Sequence, residues 1–482
     1  MLQIRRRALL KHFGLAPLLA HMPASAAGAE PVPKQKLVLI GAGSAMFTQG
    51  IIIDWLRSRP SGDWEIALVD INPVILEATD KLVRRYMQNA ERPAKITSSV
   101  ERKDVLAGAT AVICTIGVGS RRAWEQDVFV PRKFGIFQPV GDSVMPGGVS
   151  RAMRMIPPML AIARDVEKMC PGATFINYSN PMTAIVRALR KHTSVPAVGL
   201  CMGTEETLRE LAVFAGVKPE SVTANWAGLN HLTWILDMRS EGKDLWPAIR
   251  AKVATLRRNG VDRDSWAGPF GGFESKKNQL TMPFSWELFE EFGAFPAPMD
   301  RHVTEYFPER FPGGKYYGST LGVDAYSFEG TIARGDQIYD ETLSRAKGTG
   351  PIDISRTGGE HEQALEIFDS IRHDRRRFYA ANVPNNGTVP NLPNDSILEV
   401  PCVATADGMK PIPQRELSPA LTAVVLRRLG AVEAIVEAAV TGNRKLFAQA
   451  LILDGGVAAH SDAVKLADAL VQAHKEHLPQ FA

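Results

Sequence analysis

The sequence is poor in cysteine, carrying four in 482 residues at positions 114, 170, 201 and 402. So few and so scattered, they exclude a disulfide scaffold and leave thiol chemistry, if any, to single cysteines. No apolar run past the N-terminal segment approaches the ~20 residues a membrane helix needs, so the mature chain is expected to be soluble with no membrane partner. Charge bias is also missing. The formal +4 comes from Arg5, Arg6, Arg7 and Lys11; from Ala27 onward 52 basic residues face 52 acidic ones. That balance removes the electrostatic case for nucleic acid. With 45% hydrophobic and 22% charged residues, the chain is globular and long enough for two cores.

Residues 1–26 read as a targeting peptide. A basic start precedes an apolar stretch from Ala8 to Ala20, and Ala24-Ser25-Ala26 forms a small-x-small cleavage site. The run Arg6-Arg7-Ala8-Leu9-Leu10-Lys11 resembles the twin-arginine export signal, which implies a periplasmic or secreted protein that folds before export.

Strand-like runs at Lys36–Ile40, Glu65–Val69, Ala111–Thr115, Ala173–Tyr178 and Ala197–Leu200 alternate with helical stretches such as Pro73–Asn89 and Met153–Met169. That alternation predicts a parallel sheet covered by helices over residues 33–200. Beyond about Asn225 the pattern turns mixed, with loop-rich stretches at 267–312 and 382–413 and a helical tail from Ser418 to Leu470. The expected architecture is α/β, with a second, mixed α/β catalytic domain over 201–480.

The first strand runs into Gly41-Ala42-Gly43-Ser44, where two glycines allow a tight bend and close approach of a pyrophosphate. Asp70 ends the second strand, 27 residues past Gly43, where a carboxylate accepts ribose hydroxyls and repels a 2′-phosphate. Together they predict a Rossmann-type site for NAD rather than NADP. Gly117, after the third of these strands, supplies the small residue on the nicotinamide side. Met46 stands where the third glycine of the pattern belongs.

Further motifs follow: Gly141-Asp142-Ser143 with Pro146-Gly147-Gly148, Asn177-Tyr178-Ser179-Asn180-Pro181, Gly199-Leu200-Cys201, Gly228-Leu229-Asn230-His231-Leu232-Thr233-Trp234, and Asn382-Val383-Pro384-Asn385-Asn386-Gly387 with Asn391-Leu392-Pro393. In this order they resemble the family 4 glycoside hydrolases over most of the mature chain. The resemblance implies a fold similar to lactate and malate dehydrogenases and a homo-oligomer, dimer or tetramer. It also implies a glycosidase dependent on NAD and a divalent metal, usually Mn2+, outside the two-carboxylate scheme. NAD takes hydride from C3 of the sugar, a base removes the acidified C2 proton, the aglycone is eliminated, water adds, and the hydride returns.

Carried over residue by residue, the metal ligands fall on Cys201 and His231. The base falls on Asp300, with Tyr306 as the alternative, and Glu125 joins the catalytic set. Asn180, Asn230 and Arg301 meet the substrate, and His302 is placed near the metal. Methionine at 202, where relatives carry a polar residue, cannot donate a proton to the leaving group. Because sugar phosphates belong to the cytoplasm, export implies a non-phosphorylated glycoside. Two other readings stay open: an NAD-dependent dehydrogenase of a hydroxy acid or polyol, and a non-catalytic sugar- or cofactor-sensing protein.

Overall fold

The computed structural model describes residues 34–44, 46–58, 62–88, 93–262, 272–348 and 362–482; the expected leader lies outside them. Strands β1 (Gln35–Ile40), β2 (Trp64–Val69), β3 (Lys95–Ser99), β4 (Ala111–Cys114), β5 (Thr174–Asn177) and β6 (Val198–Gly199) pair in parallel. Their order is β6-β5-β4-β1-β2-β3. Helices α1 (Thr48–Ser58), α2 (Pro73–Met87), α3 (Lys103–Leu106), α4 (Ser120–Arg132), α5 (Met145–Met169) and α6 (Met182–His192) form the connections. Leu37 through Ile40 are buried, because a central strand is covered on both faces; hence the unbroken apolar run. The chain leaves β1 toward β2 and returns on its other side as β4, so a crevice opens between the carboxyl ends of β1 and β4. Strand β3 escaped the sequence reading because Lys-Ile-Thr-Ser-Ser is a polar edge strand that buries only Ile96.

The same sheet continues through the second half, from β6 to β13 (Arg377–Pro384), β14 (Ile397–Thr405), β7 (Val222–Leu229), β8 (Leu232–Ser240) and β10 (Phe295–Ala297), thirteen strands in all among the described residues. The elements here are α7 (Gly203–Phe214), the hairpin β7 (Val222–Leu229) and β8 (Leu232–Ser240), β9 (Lys243–Asp244), α8 (Trp246–Asn259), α9 (Pro283–Phe292) and β10 (Phe295–Ala297). Then come α10 (Asp300–Val303), the small pair β11 (Lys315–Tyr316) and β12 (Ser319–Thr320), α11 (Phe328–Lys347) and α12 (Glu362–Arg372). Strands β13 (Arg377–Pro384), β14 (Ile397–Thr405) and β15 (Gly408–Pro411) correct the loop expected at 382–413. Asn and Pro made that stretch read as loop, yet Pro401 sits inside β14 opposite Ala380 while its neighbours Val400 and Cys402 are fully buried.

The helical tail is three helices, α13 (Pro419–Thr441), α14 (Arg444–Leu453) and α15 (His460–Ala473). They return to the parallel half, where Ile435, Phe447 and Leu466 share a core with Val38, Val112, Met153 and Ile156. The boundary expected at residue 200 is therefore not a packing boundary, because the apolar face of α5 has to be covered and the C-terminal helices cover it. Two buried ionic groups fix this cover. Arg428 pairs with Asp454 at 3.2 Å, and Asp127 is shared by Arg154 and His474. Among the described residues no helix is long and apolar enough to cross a membrane.

Candidate functional site

The glycine turn is shaped as its sequence predicts. A Cβ on Gly41 would lie 2.8 Å from the Ile116 nitrogen, and one on Gly43 would lie 2.5 Å from the Ile75 side chain. Asp70 closes the turn, accepting the Gly43 N–H at 2.8 Å on one oxygen and the Asn72 N–H at 2.9 Å on the other. Beyond it Ile71 and Val74 stand exposed, an apolar shelf beside the carboxylate that suits an adenine face. The Ser44 hydroxyl accepts the Phe47 N–H at 3.3 Å, and exposed Met46 leads into α1. Thus a turn too tight for side chains, a carboxylate at the end of β2 and an open shelf fit a dinucleotide with free ribose hydroxyls. Gly117 lies across the crevice, where an added Cβ would meet only Arg151 Nη2, at 3.9 Å.

On the nicotinamide side the ends of β4 and β5 are tied together, because the Ser179 hydroxyl donates to the Ile116 carbonyl at 2.8 Å. Asn180 follows, half-buried before a cis peptide to Pro181. Its amide donates to Asp142 at 2.9 Å, its carbonyl accepts from Arg151 Nε at 3.0 Å, and its buried Oδ1 meets no protein partner. That orphaned acceptor is available to a hydroxyl, as expected for a sugar-facing asparagine.

Asp142, His231 and His302 each offer a ligand atom within 4.8 Å of the others. His231 is set by the tight β7–β8 connection, which holds it at φ 102°. Its Nδ1 lies 3.0 Å from the Ser143 hydroxyl, which donates to Asp142 at 2.8 Å. Burial lowers the pKa of His231 despite nearby Asp142, and burial with the neighbouring His231 and Arg301 holds His302 well below the usual histidine range. Both rings are therefore neutral near pH 7, the state in which imidazole binds a metal. Two nitrogens and a carboxylate suit Mn2+ or a similar divalent ion with positions left for substrate oxygens. Cys201, at the end of β6, accepts the Gly203 N–H at 3.4 Å and is not a member of this group.

Other expected site residues are placed elsewhere. Asp300 is fully buried and accepts four hydrogen bonds: from Phe284 N, Ser285 N, the Ser285 hydroxyl and the Tyr316 hydroxyl, at 2.6–2.9 Å. It caps the N-terminus of α9 from a distance and has no lone pair directed at a substrate. Tyr306 spends its proton on the Asn230 carbonyl at 2.5 Å, and burial pushes its pKa well above the usual range. Asn230 is buried near Glu399, whose carboxylate takes Thr204, Thr233 and Asn382 across the seam between the two halves, while the side-chain oxygen and nitrogen of Asn230 meet no hydrogen-bond partner among the described residues. Glu125 pairs with Arg122 at 2.7 Å, and Arg122 also meets Asp336 of α11. Asp300, Tyr306 and Glu125 are thus held by protein partners in this arrangement, whereas the Asn230 side chain is left without one. Arg301, half-buried, donates to Thr331 at 3.1 Å and bears electrostatically on both histidines.

Two residues escaped the sequence reading. Arg151 of α5 links the Asn180 carbonyl to the Gly117 side of the crevice. Glu305 accepts both the Val140 and Gly141 N–H groups at 2.8 Å and so shapes the loop that presents Asp142. Burial raises its pKa to about 8. No local pattern marks either residue; each acts on a segment remote in sequence.

Comparison with known proteins places this geometry. Residues 36–214 match the model for "Family 4 glycosyl hydrolase", and residues 226–457 match that for "Family 4 glycosyl hydrolase C-terminal domain". An alpha-glucosidase of Erwinia rhapontici is 30% identical, over 87% of this chain and 93% of its own. An alpha-galactosidase of Bacillus subtilis (strain 168) is 27% identical over 93% of this chain and its entire length. An alpha-galacturonidase of the same strain is 29% identical over 91% and 97%. Among solved structures, a 6-phospho-alpha-glucosidase from gut microorganisms, in complex with NAD and Mn2+, superposes with a TM-score of 0.78. It covers 93% of this chain and 100% of its own at 17% identity, so that likeness concerns the fold.

Proposed function

The chain belongs to family 4 of the glycosyl hydrolases, and from that premise we propose that it hydrolyses the O-glycosidic bond of a non-phosphorylated glycoside with resident NAD and a divalent metal, Mn2+ in the first instance. When bound, the two cofactors supply a reversible hydride acceptor for C3 of the sugar and a Lewis acid that acidifies the neighbouring C2 proton. The observation that carries the reading is the position of neutral His231 and His302 with Asp142 beside Asn180, which borders the dinucleotide crevice.

The chain's own residues divide the remaining work. Asp70 and the glycine turn hold the adenosine end, with Ser44 and Gly117 bordering the phosphates and the nicotinamide. Asn180 directs Oδ1 at a sugar hydroxyl while its amide steadies Asp142. Arg301 contributes positive charge beside the histidines, which favours oxyanion character at the sugar. Cys201 and His231 are proposed as the metal-side residues from the ends of β6 and β7. With Asp300 and Tyr306 both held by protein hydrogen bonds, proton removal at C2 falls to another group.

While one relative is named a probable 6-phospho-beta-glucosidase, three others, named α-galactosidase, α-glucosidase and α-galacturonidase, support a substrate without phosphate. So does the twin-arginine-like leader, from which we propose export to the periplasm or beyond. An oligomer, dimer or tetramer, is proposed with it. Hydrolysis of aryl α- and β-glycosides, with and without a 6-phosphate, in D2O with Mn2+ tests the reaction. Deuterium at C2 of the product without NADH accumulation is the expected result. Stoichiometric NADH release, or product lacking deuterium, would overturn it, and activity confined to the 6-phosphates would overturn the substrate class.

A further inference from the structure

Asp142, His231 and His302 come from three separate segments: the loop before α5, the β7–β8 turn and α10. Their ligand atoms nonetheless lie within 4.8 Å of one another. The two imidazoles are tilted by 53° with centroids 4.2 Å apart, which puts their ring nitrogens within reach of one ion. The surroundings orient the group. Ser143 bridges His231 Nδ1 and one oxygen of Asp142, and the Asn180 amide holds the other oxygen, the kind of outer support that fixes metal ligands. His302 Nδ1 is buried without a hydrogen-bond partner, an unfavourable state for a polar ring atom unless something meets it. A hydrogen-bonded core cluster would have satisfied it.

We infer that Asp142 and His302 are protein ligands of the divalent metal beside His231, forming a two-histidine, one-carboxylate set. Such a set presents three donors and leaves positions open for the hydroxyl oxygens of a sugar. It suits Mn2+ or Fe2+, which accept mixed nitrogen and oxygen donors. It also explains why Ser143 and Asn180 converge on a carboxylate that no ion pair with Lys or Arg neutralises at hydrogen-bonding distance among the described residues. The inference rests on reading the site as metal-dependent, and it adds ligands that the cysteine–histidine pair does not include.

The test uses the whole chain, stripped with a chelator and titrated with Mn2+ alone, without NAD or sugar. Free Mn2+ is followed by electron paramagnetic resonance, and pulsed spectra of the bound ion count imidazole nitrogens. The parent is expected to show couplings from two imidazoles, and His302→Gln from one. His302→Gln and Asp142→Asn are each expected to weaken Mn2+ binding at least tenfold, while Cys201→Ser leaves both imidazole couplings in place. Thermal unfolding of the metal-free proteins shows whether each variant is folded, and Asp142→Glu, which keeps a carboxylate, is expected to recover part of the affinity. A single imidazole coupling in the parent, or parental affinity in both folded variants, would overturn the assignment. The D2O experiment stands apart: C2 deuterium with one imidazole coupling refutes the ligand set alone, whereas two couplings without hydrolysis refute the reaction alone.

Discussion

Replacing Asp300 by asparagine separates a structural carboxylate from a catalytic one. The native group accepts four hydrogen bonds, two from backbone N–H groups at the start of α9 and two from hydroxyls. Asparagine retains one oxygen, which serves Ser285 through its N–H and hydroxyl. The amide nitrogen then faces the Phe284 N–H, leaving a buried donor unsatisfied, while the Tyr316 hydroxyl can turn to Tyr326, 3.2 Å away. The orphaned donor costs about 1–3 kcal/mol, and the bonds that remain lose charge assistance. Relief from burying a charge offsets part of this, since burial raises the Asp300 pKa against the pull of its donors. The sum is a loss of about 2–4 kcal/mol in stability. Urea unfolding of the metal-free protein measures it, alongside C2 deuterium incorporation at a temperature where the variant stays folded. The expected outcome is a lower midpoint with exchange within about tenfold of the parent, a barrier change of at most ~1.4 kcal/mol. An unchanged midpoint with exchange abolished would refute the capping argument and return Asp300 to the role of base.

Gly43→Ala is expected to abolish tight NAD retention while leaving Mn2+ binding intact, since its Cβ would fall 2.7 Å from Asp70 Oδ2; calorimetric titration with each ligand decides. Tyr306→Phe removes one hydrogen bond, to the Asn230 carbonyl, and is expected to cost about 1 kcal/mol with activity preserved; a loss of C2 exchange would mark the phenol as the base. Glu305 has a folded pKa of about 8 against 4.5 for the ordinary side chain. Because the folded value is raised, its contribution to stability is full below about pH 4.5 and is lost as pH rises through about 8. In metal-free buffer Glu305→Gln, which keeps the oxygen that accepts Val140 and Gly141, is expected to flatten that slope in unfolding experiments between pH 5 and 8. Parallel slopes would refute the raised pKa.

The sequence disclosed what is local. The glycine turn, Asp70 and the strand preceding them are consecutive or tied by β-strand geometry, so their chemistry shows in the residue pattern. His231 was legible only through the ordered motifs of the family, because the tight β7–β8 hairpin that carries it falls in a stretch whose pattern reads as mixed. Asp300 was not, because its partners at 284 and 285 belong to a helix whose start has no capping side chain of its own. Asp142 appeared in a motif, but its meaning depends on histidines brought in by a hairpin and a short helix. Glu125 entered the catalytic set through the family resemblance, and only the approach of Asp336 reveals the ion-pair network around it. Prolines in and around β14 hid a central strand, since pattern reading weighs proline without knowing which N–H the sheet needs.

The join between β6 and β13 decides how such an enzyme can be recombined. Asn382 pairs with Gly199 on one side and Glu399 on the other, and its side chain also reaches the Glu399 carboxylate. A chimera cut near residue 200 would therefore inherit half of a shared strand ladder and half of a shared polar cluster, and it would uncover the α5 face that the tail conceals. Substrate-recognition segments exchange more safely as loops above the sheet, with Gly199, Asn382, Glu399 and the three C-terminal helices kept from a single parent. For the working enzyme, the same continuity means that the dinucleotide crevice and the His231–His302 side of the site are carried by one hydrogen-bonded ladder rather than by two separately hinged sheets.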